Sequence, residues 1–253
     1  MKSECIAIWL NRVEYSKAWS LQEYLANEIA AGEHPETLLL LEHPPTYTFG
    51  RSGHIKNLVW DEDELTRKGI VLEWTDRGGD VTYHGPGQLV GYPLLKLGTI
   101  QESTRGDLSR IPQADYLEYL RQLERMLILT LSRLGVPAFQ KSGLTGVWIR
   151  PENIPQSHGQ LPAKIAAIGV KIDARGISRH GFALNVNPDM AYWEGIIGCG
   201  LEEYPVTSLA ELSFPPPPLE KVIAELVDSF GEVFNYEMVA KNLHEDRAFP
   251  QAS

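Results

Sequence analysis

A thiol is the strongest nucleophile a chain carries without a cofactor, and these 253 residues hold only two, Cys5 and Cys199. Cys199 stands in Ile197-Gly198-Cys199-Gly200-Leu201, between two glycines with no side chain to shield the sulfur, so bulky reactants can approach it. It is the leading nucleophile candidate, with a small buried filler as the alternative. A second stretch, Asp76-Arg77-Gly78-Gly79-Asp80-Val81-Thr82-Tyr83-His84-Gly85-Pro86-Gly87-Gln88, packs four glycines, an arginine and a histidine into thirteen positions. Its glycines let main-chain N–H groups close on a bound carbonyl or oxyanion, although many such stretches are only turns. A third, Ala163 to Lys171, puts Lys164 at the mouth of an apolar strand, where a lysine either pairs or snorkels into water. Downstream, Arg179-His180-Gly181-Phe182-Ala183 places a further histidine on a candidate partner strand.

These residues need a scaffold, and the hydrophobic periodicity supplies one. Alternating or continuous apolar runs predict strands at Cys5–Leu10, Thr37–Leu41, Thr46–Phe49, Val71–Thr75, Val81–Tyr83, Leu89–Leu94, Gly146–Ile149, Ile165–Ile172 and Phe182–Val186. Helical spacing predicts Tyr15–Ala30, a short Asp61–Lys68 helix with acids first and bases last, and a long Ala114–Leu134 helix with Tyr116, Leu120, Leu123, Leu127 and Leu131 on its core face. Pro215–Pro218 is a stiff connector into a last amphipathic helix, Leu219–Phe234, and residues 244–253 read as a frayed tail. No repeat or sustained βαβ alternation occurs, so the expected fold is α/β in the α+β sense: a mixed, largely antiparallel sheet flanked by helices, closed as one domain over 1–253.

Composition excludes several functions. A net charge of −10 is wrong for a surface whose task is to hold a phosphate backbone, so no nucleic-acid partner is expected. Arg51, Lys56, Arg105 and Arg110, in loop-like stretches, are the local basic candidates for docking an acidic partner. No apolar run is long enough to span a bilayer and the N-terminus lacks a signal-peptide pattern, so no membrane association and a cytoplasmic location are expected. Two cysteines this far apart make neither a disulfide framework nor a metal cluster; Cys5 is expected to be structural, and no metal or cofactor is expected.

Taken together, the motifs resemble the octanoyltransferase family, also called lipoate-protein ligase B. The resemblance lies in Arg77-Gly78-Gly79 to Gln88, in Lys164-Ile165-Ala166-Ala167-Ile168-Gly169, in His180-Gly181-Phe182-Ala183-Leu184-Asn185 and in Cys199-Gly200-Leu201. Glu42-His43-Pro44-Pro45, Thr48-Phe49-Gly50-Arg51 and Thr145-Gly146-Val147-Trp148 extend it, in order, from about Tyr15 to Ser208. It implies the α/β fold of biotin and lipoate ligases. It also implies a monomeric enzyme that moves an octanoyl group from acyl carrier protein to a specific lysine of lipoyl domains, those of 2-oxo acid dehydrogenases and the glycine cleavage H protein, as the first step of endogenous lipoylation.

Carried over residue by residue, the resemblance makes Cys199 the thioester-forming nucleophile and Lys164 the residue that lowers its pKa. Arg77, Gly78, Gly79, Asp80, Val81, Thr82, Tyr83 and His84, with Ala167, Ile168, Gly169, Gly181, Phe182 and Ala183, would hold the acyl group. Lys164 and His84 both remain open as the base of the second step. The chain departs from the family at Gly198, often proline there, and in two longer stretches, Gly98–Gln113 and Pro151–Leu161, expected to be surface insertions. Rival activities are an ATP-dependent lipoate or biotin ligase, a cysteine thioesterase and a non-catalytic acyl-carrier-binding module.

The chemistry suits the residue types. A free cysteine with a pKa of about 8.5 is only a few per cent thiolate at neutral pH. An ammonium at roughly 4 Å favours the anion by up to about 4 kcal/mol at an effective dielectric of 20. Acylation then removes the thiolate's charge and leaves the lysine without a partner, ready to act as a base.

Overall fold

The computed structural model describes residues 2–98, 100–101, 111–112, 115–155, 161–198, 203–213 and 215–242. Strand β1 (Ser3–Arg12) leads into helix α1 (Tyr15–Ala31), followed by β2 (Thr37–Glu42), β3 (Thr46–Phe49), α2 (Glu62–Lys68), β4 (Val71–Trp74), β5 (Val81–His84) and β6 (Gln88–Leu94). A two-stranded excursion, β7 (Ile100–Gln101) with β8 (Ile111–Pro112), precedes α3 (Tyr116–Arg133). Then come β9 (Phe139–Lys141), β10 (Leu144–Ile149), β11 (Ala163–Ile172), β12 (Ser178–Asn185), α4 (Leu209–Leu212), α5 (Leu219–Val233) and β13 (Tyr236–Asn242).

The main sheet runs β13-β1-β2-β6-β12-β11-β10-β9. Only β13, β1 and β2 are mutually parallel; every later neighbour is antiparallel, so the expected mixed, largely antiparallel sheet is the one observed. Leu38 to Leu41 is a continuous apolar run because both faces of β2 are covered. Leu39 and Leu41 pack with Ala18, Leu25 and Ile29 of α1, while Leu38 and Leu40 pack with Leu123 and Leu127 of α3 and Leu226 of α5. A second sheet, β4-β3-β5, closes its own small core around Tyr47, Phe49, Val81 and Tyr83.

One expectation is corrected in detail. The buried stripe of α3 is Tyr119, Leu123, Met126, Leu127 and Leu131, so the helix is rotated from the predicted face and Tyr116 is 40% exposed. That rotation buries Glu124, whose carboxylate accepts the Gly146 N–H at 3.0 Å. The segment after α5, to which the sequence reading assigned no element, forms the edge strand β13. The Gly98–Gln113 stretch, where described, is the β7–β8 pair; most of it, like Ala114, 156–160 and the tail beyond Asn242, lies outside the described residues. Among the described residues no helix is long and apolar enough to cross a membrane.

Candidate functional site

Two predicted segments on the consecutive strands β11 and β12 lie opposite each other in register: Ala167 pairs with Ala183, Ile168 with Phe182 and Gly169 with Gly181. The glycine loop closes over this pair. Gly78 N–H donates to the Val170 carbonyl at 3.0 Å, and Gly169 must lack a side chain because a Cβ there would sit 2.8 Å from the Gly78 carbonyl oxygen. The result is a cleft enclosing about 440 Å³, mouth included, lined by Arg77, Gly79, Asp80, Thr82 and His84 on one side and the β11–β12 pair on the other. Val81 and Tyr83 alternate to the opposite face of β5 and pack into the small core, and Gly78 supports the loop without lining the cleft. The cleft also takes in three residues that sequence reasoning left out of the site: Tyr15, Tyr92 and His180.

Arg77 is 7% exposed and its guanidinium holds the loop together, donating to the Thr48 carbonyl, the Asp80 carbonyl and the Gly78 carbonyl at 2.5, 2.7 and 3.0 Å. Asp80 accepts from Val81 N–H at 2.7 Å, His54 N–H at 3.2 Å and Asn57 Nδ2 at 2.5 Å, tying the 50–59 loop to the cleft rim. The Thr82 hydroxyl is buried and has no partner among the described residues.

Behind the cleft lies a buried group of rings, Tyr15, His43, His84, Tyr92 and His180, with centroids 5.1 to 6.4 Å apart. Hydrogen-bond partners set the tautomers. Gln88 Nε2 donates to the Tyr83 carbonyl and to Asn185 Oδ1, at 3.0 and 2.9 Å, while Asn185 Nδ2 donates to the Thr207 carbonyl at 3.0 Å. Gln88 Oε1 is therefore an acceptor, and His84 Nδ1 must donate to it across 2.8 Å, which leaves Nε2 of His84 as an unprotonated acceptor. By the same logic His43 Nδ1 donates to the Val13 carbonyl at 2.6 Å and its Nε2 accepts from Tyr92 OH at 2.7 Å. Burial pushes His43 down to about 4 and His84 well below the ordinary histidine value, so both rings are neutral at pH 7. His180 Nε2 donates to Asp76 Oδ1 at 2.7 Å; that hydrogen bond, with Lys171 and Arg179 alongside, holds the Asp76 carboxyl far below the carboxylate range.

Lys164, second residue of β11, is 8% exposed and lies elsewhere, in an adjoining chamber. Its ammonium sits over the Trp148 ring, 4.8 Å from the centroid, and among the described residues it has no ion-pair partner. Its stem crosses Gly146, whose φ of +120° and whose contacts exclude a side chain: a Cβ would lie 2.7 Å from the Ala166 carbonyl oxygen. The chamber, about 270 Å³ with its mouth included, is lined by Trp148, Lys164, Ala167, Trp193, Gly198, Tyr204 and Val206; Ala167 borders the cleft as well.

Cys199 lies outside the described residues, but the chain on both sides of it is fixed. Ile197 N–H donates to the Asn57 carbonyl at 2.8 Å, and Gly198, bonded to Cys199, lines the Lys164 chamber. A Cβ at Gly198 would meet the Trp193 ring at 3.1 Å, so glycine allows close packing here. On the other side Lys164 N–H donates to the Pro205 carbonyl and Thr207 N–H to the Lys164 carbonyl, at 2.8 and 2.9 Å. Cys5, by contrast, is fully buried with its thiol pushed up to about 12 by desolvation, which makes it inert. Among the described residues no group of His, Cys, Asp or Glu could hold a metal ion.

Comparison with known proteins places this geometry. Residues 14–231 match the lipoyl protein ligase A/B catalytic domain family. An octanoyltransferase of Chloroflexus aggregans is 40% identical over 230 residues, covering 91% of this chain and 95% of that protein. One of Solibacter usitatus is 42% identical, covering 93% and 95%. Among solved structures, a bi-partite lipoate protein ligase from Thermoplasma acidophilum superposes with a TM-score of 0.66 at 18% identity, covering 96% of this chain and 88% of that one.

Proposed function

The chain belongs to the octanoyltransferase family within the lipoyl protein ligase A/B catalytic domains, and from that premise we propose that it carries an octanoyl group from acyl carrier protein to a lysine of lipoyl domains through a thioester on Cys199. One observation carries the cysteine step. Both ends of the segment that holds Cys199, Gly198 and Tyr204, border the chamber of the Lys164 ammonium, and that chamber shares Ala167 with the cleft.

In the first step the Cys199 thiolate, stabilised by the ammonium, attacks the carbonyl carbon of the donor thioester. The new C–S bond forms, the donor C–S bond breaks, and the departing thiolate takes a proton from Lys164. In the second step the acceptor lysine, as a free amine, attacks the acyl-cysteine; its surplus proton goes to neutral Lys164 and Cys199 leaves as thiolate, restoring the starting pair. His84 is the second candidate base, since its Nε2 is held unprotonated. Thr82 brings a buried hydroxyl in need of an acceptor to the cleft wall, suited to a polar atom at the head of the acyl chain. Burying six methylenes at about 0.8 kcal/mol each contributes about 5 kcal/mol before ordering costs, enough to prefer octanoyl over short chains.

Intact-mass spectrometry after mixing with octanoyl-acyl carrier protein tests the reading. An octanoyl adduct is expected on the wild type and is expected to be missing from Cys199→Ser; an adduct on both would remove Cys199 from the scheme. The fold alone is equally that of a lipoate ligase, so ATP–pyrophosphate exchange is the control: an octanoyltransferase shows none.

A further inference from the structure

The loop between β3 and α2 has an unusual position and an unusual surface. Gly50 N–H donates to the Asp80 carbonyl, Arg51 N–H to Arg77 and Ser52 N–H to Gly79, at 3.2, 2.9 and 3.2 Å, so the start of the loop is the outer wall of the cleft rim. Its far end is joined to the segment entering Cys199: Asn57 accepts from Ile197, Leu58 bridges Ile196, and Val59 N–H donates to the Gly195 carbonyl at 2.8 Å. The first ten residues of this loop, Gly50 to Val59, thus span the cleft and the cysteine segment. Outward it shows Ile55 and Val59, 59% and 58% exposed, beside exposed Arg51 and Lys56, which have no ion-pair partner among the described residues. From Gly50 to Trp60 there is no carboxylate, in a chain of net charge −10.

We propose that this loop is the docking platform for the acyl donor's carrier: a protein that sets an acidic helix against Arg51 and Lys56 and an apolar side chain against Ile55 and Val59. The proposal rests on the reading above, in which the donor is a protein-borne thioester. Charge favours the carrier here. The cleft on the other side of Gly198 is walled by Glu194 and Glu211, which repel an acidic partner and suit a cationic lysine arm. A carrier seated on the loop faces the cleft rim, where its acyl tail must enter.

The test compares octanoyl-acyl carrier protein with octanoyl-pantetheine as donors for wild type, Lys56→Glu and Ile55→Glu, with a lipoyl domain as acceptor. Both side chains point into solvent, and thermal melts check that the variants stay folded. The expected result is a rise of at least about tenfold in KM for the carrier, an unchanged kcat, an unchanged rate with octanoyl-pantetheine, and a weaker dependence on salt than wild type. An equal loss with both donors, or no loss with either, overturns the platform. A raised KM for the lipoyl domain instead assigns the loop to the acceptor and overturns it as well. Failure of the wild type to use either donor is a different failure, that of the activity itself.

Discussion

The cleft of Arg77 and His84 and the Lys164 chamber share a wall at Ala167 and are built on opposite plans. In and behind the cleft, polar groups other than the Thr82 hydroxyl are committed to one another: Arg77 to three main-chain carbonyls, His84 through Gln88 and Asn185 to Thr207, His43 to Val13 and Tyr92, His180 to Asp76. Nothing there is left charged toward the cavity by its histidines, and the shape is held rigid, which is what an uncharged hydrocarbon tail requires. In the chamber the ammonium of Lys164 rests on an indole face with no carboxylate beside it among the described residues, so its charge stays available to an anion. On the proposed reading, selectivity comes from polar groups tied to one another, with the Thr82 hydroxyl as the exception, and reactivity from an ammonium that has no ion-pair partner among the described residues.

The sharpest way to break that contrast is to remove the charge. Lys164→Ala is expected to lower acyl transfer at pH 7 by at least about 100-fold, combining a smaller thiolate fraction with the loss of a general base. Its rate is expected to recover toward the ordinary thiol pKa of about 8.5 as pH rises. Single-turnover acylation followed by mass against pH measures both. Unchanged rates would mean that the chamber is not the reactive half.

Much of this arrangement was legible in the sequence, for identifiable reasons. Strand β2 and strand β6 were visible as apolar runs because both sheet faces are covered, and the glycine loop was visible because Gly79 holds a left-handed backbone, φ +89°, while Gly50 and Gly169 beside it fit contacts that only glycine allows. Edge strand β13 was not: its parallel partner β1 lies at the other end of the chain, so no turn marks the pairing. Tyr15 and Tyr92 were missed, and His180 was noted on its strand but not assigned to the site, because their roles are purely tertiary. His180 reaches the ring group from a left-handed backbone, φ +56°, which breaks the alternation that a strand pattern assumes. His43 read as the end of a strand before two prolines, with nothing local to announce a fully buried ring.

Neutrality of the cleft histidines makes the second prediction. Unfolded His43 takes up a proton near pH 6.5 while folded His43 resists until about 4, so between these values the unfolded state binds more protons. Its contribution is therefore fully present above pH 6.5 and lost as pH falls through 4, about 3 kcal/mol in all. His84, shifted the same way, steepens the loss. Urea unfolding at pH 7, 5.5 and 4 should show the decline, and His43→Gln should flatten it; an identical acid slope in the variant would mean that the ring is not held neutral. A smaller effect is expected from Gln88→Leu, which strands the His84 Nδ1–H, the Tyr83 carbonyl and Asn185 Oδ1. A loss of about 2–3 kcal/mol in stability is expected, and about tenfold in transfer rate as the tautomer is freed. A stability loss with full activity would make the Gln88 relay structural and take His84 out of the chemistry.

The smallest effect tests the other side of the contrast. Trp148 is fully buried, its Nε1–H has no partner among the described residues, and it meets Lys164 through its ring face. Trp148→Phe keeps a face under the ammonium and removes that N–H, so acylation should slow by no more than about threefold. Trp148→Leu removes the face, worth on the order of 1 kcal/mol, and should slow it by about fivefold or more. Paired acylation rates at one pH separate the two. If phenylalanine proved as damaging as leucine, the indole N–H would have to be holding a bound group, and the chamber would be a second place where selectivity is built rather than reactivity alone.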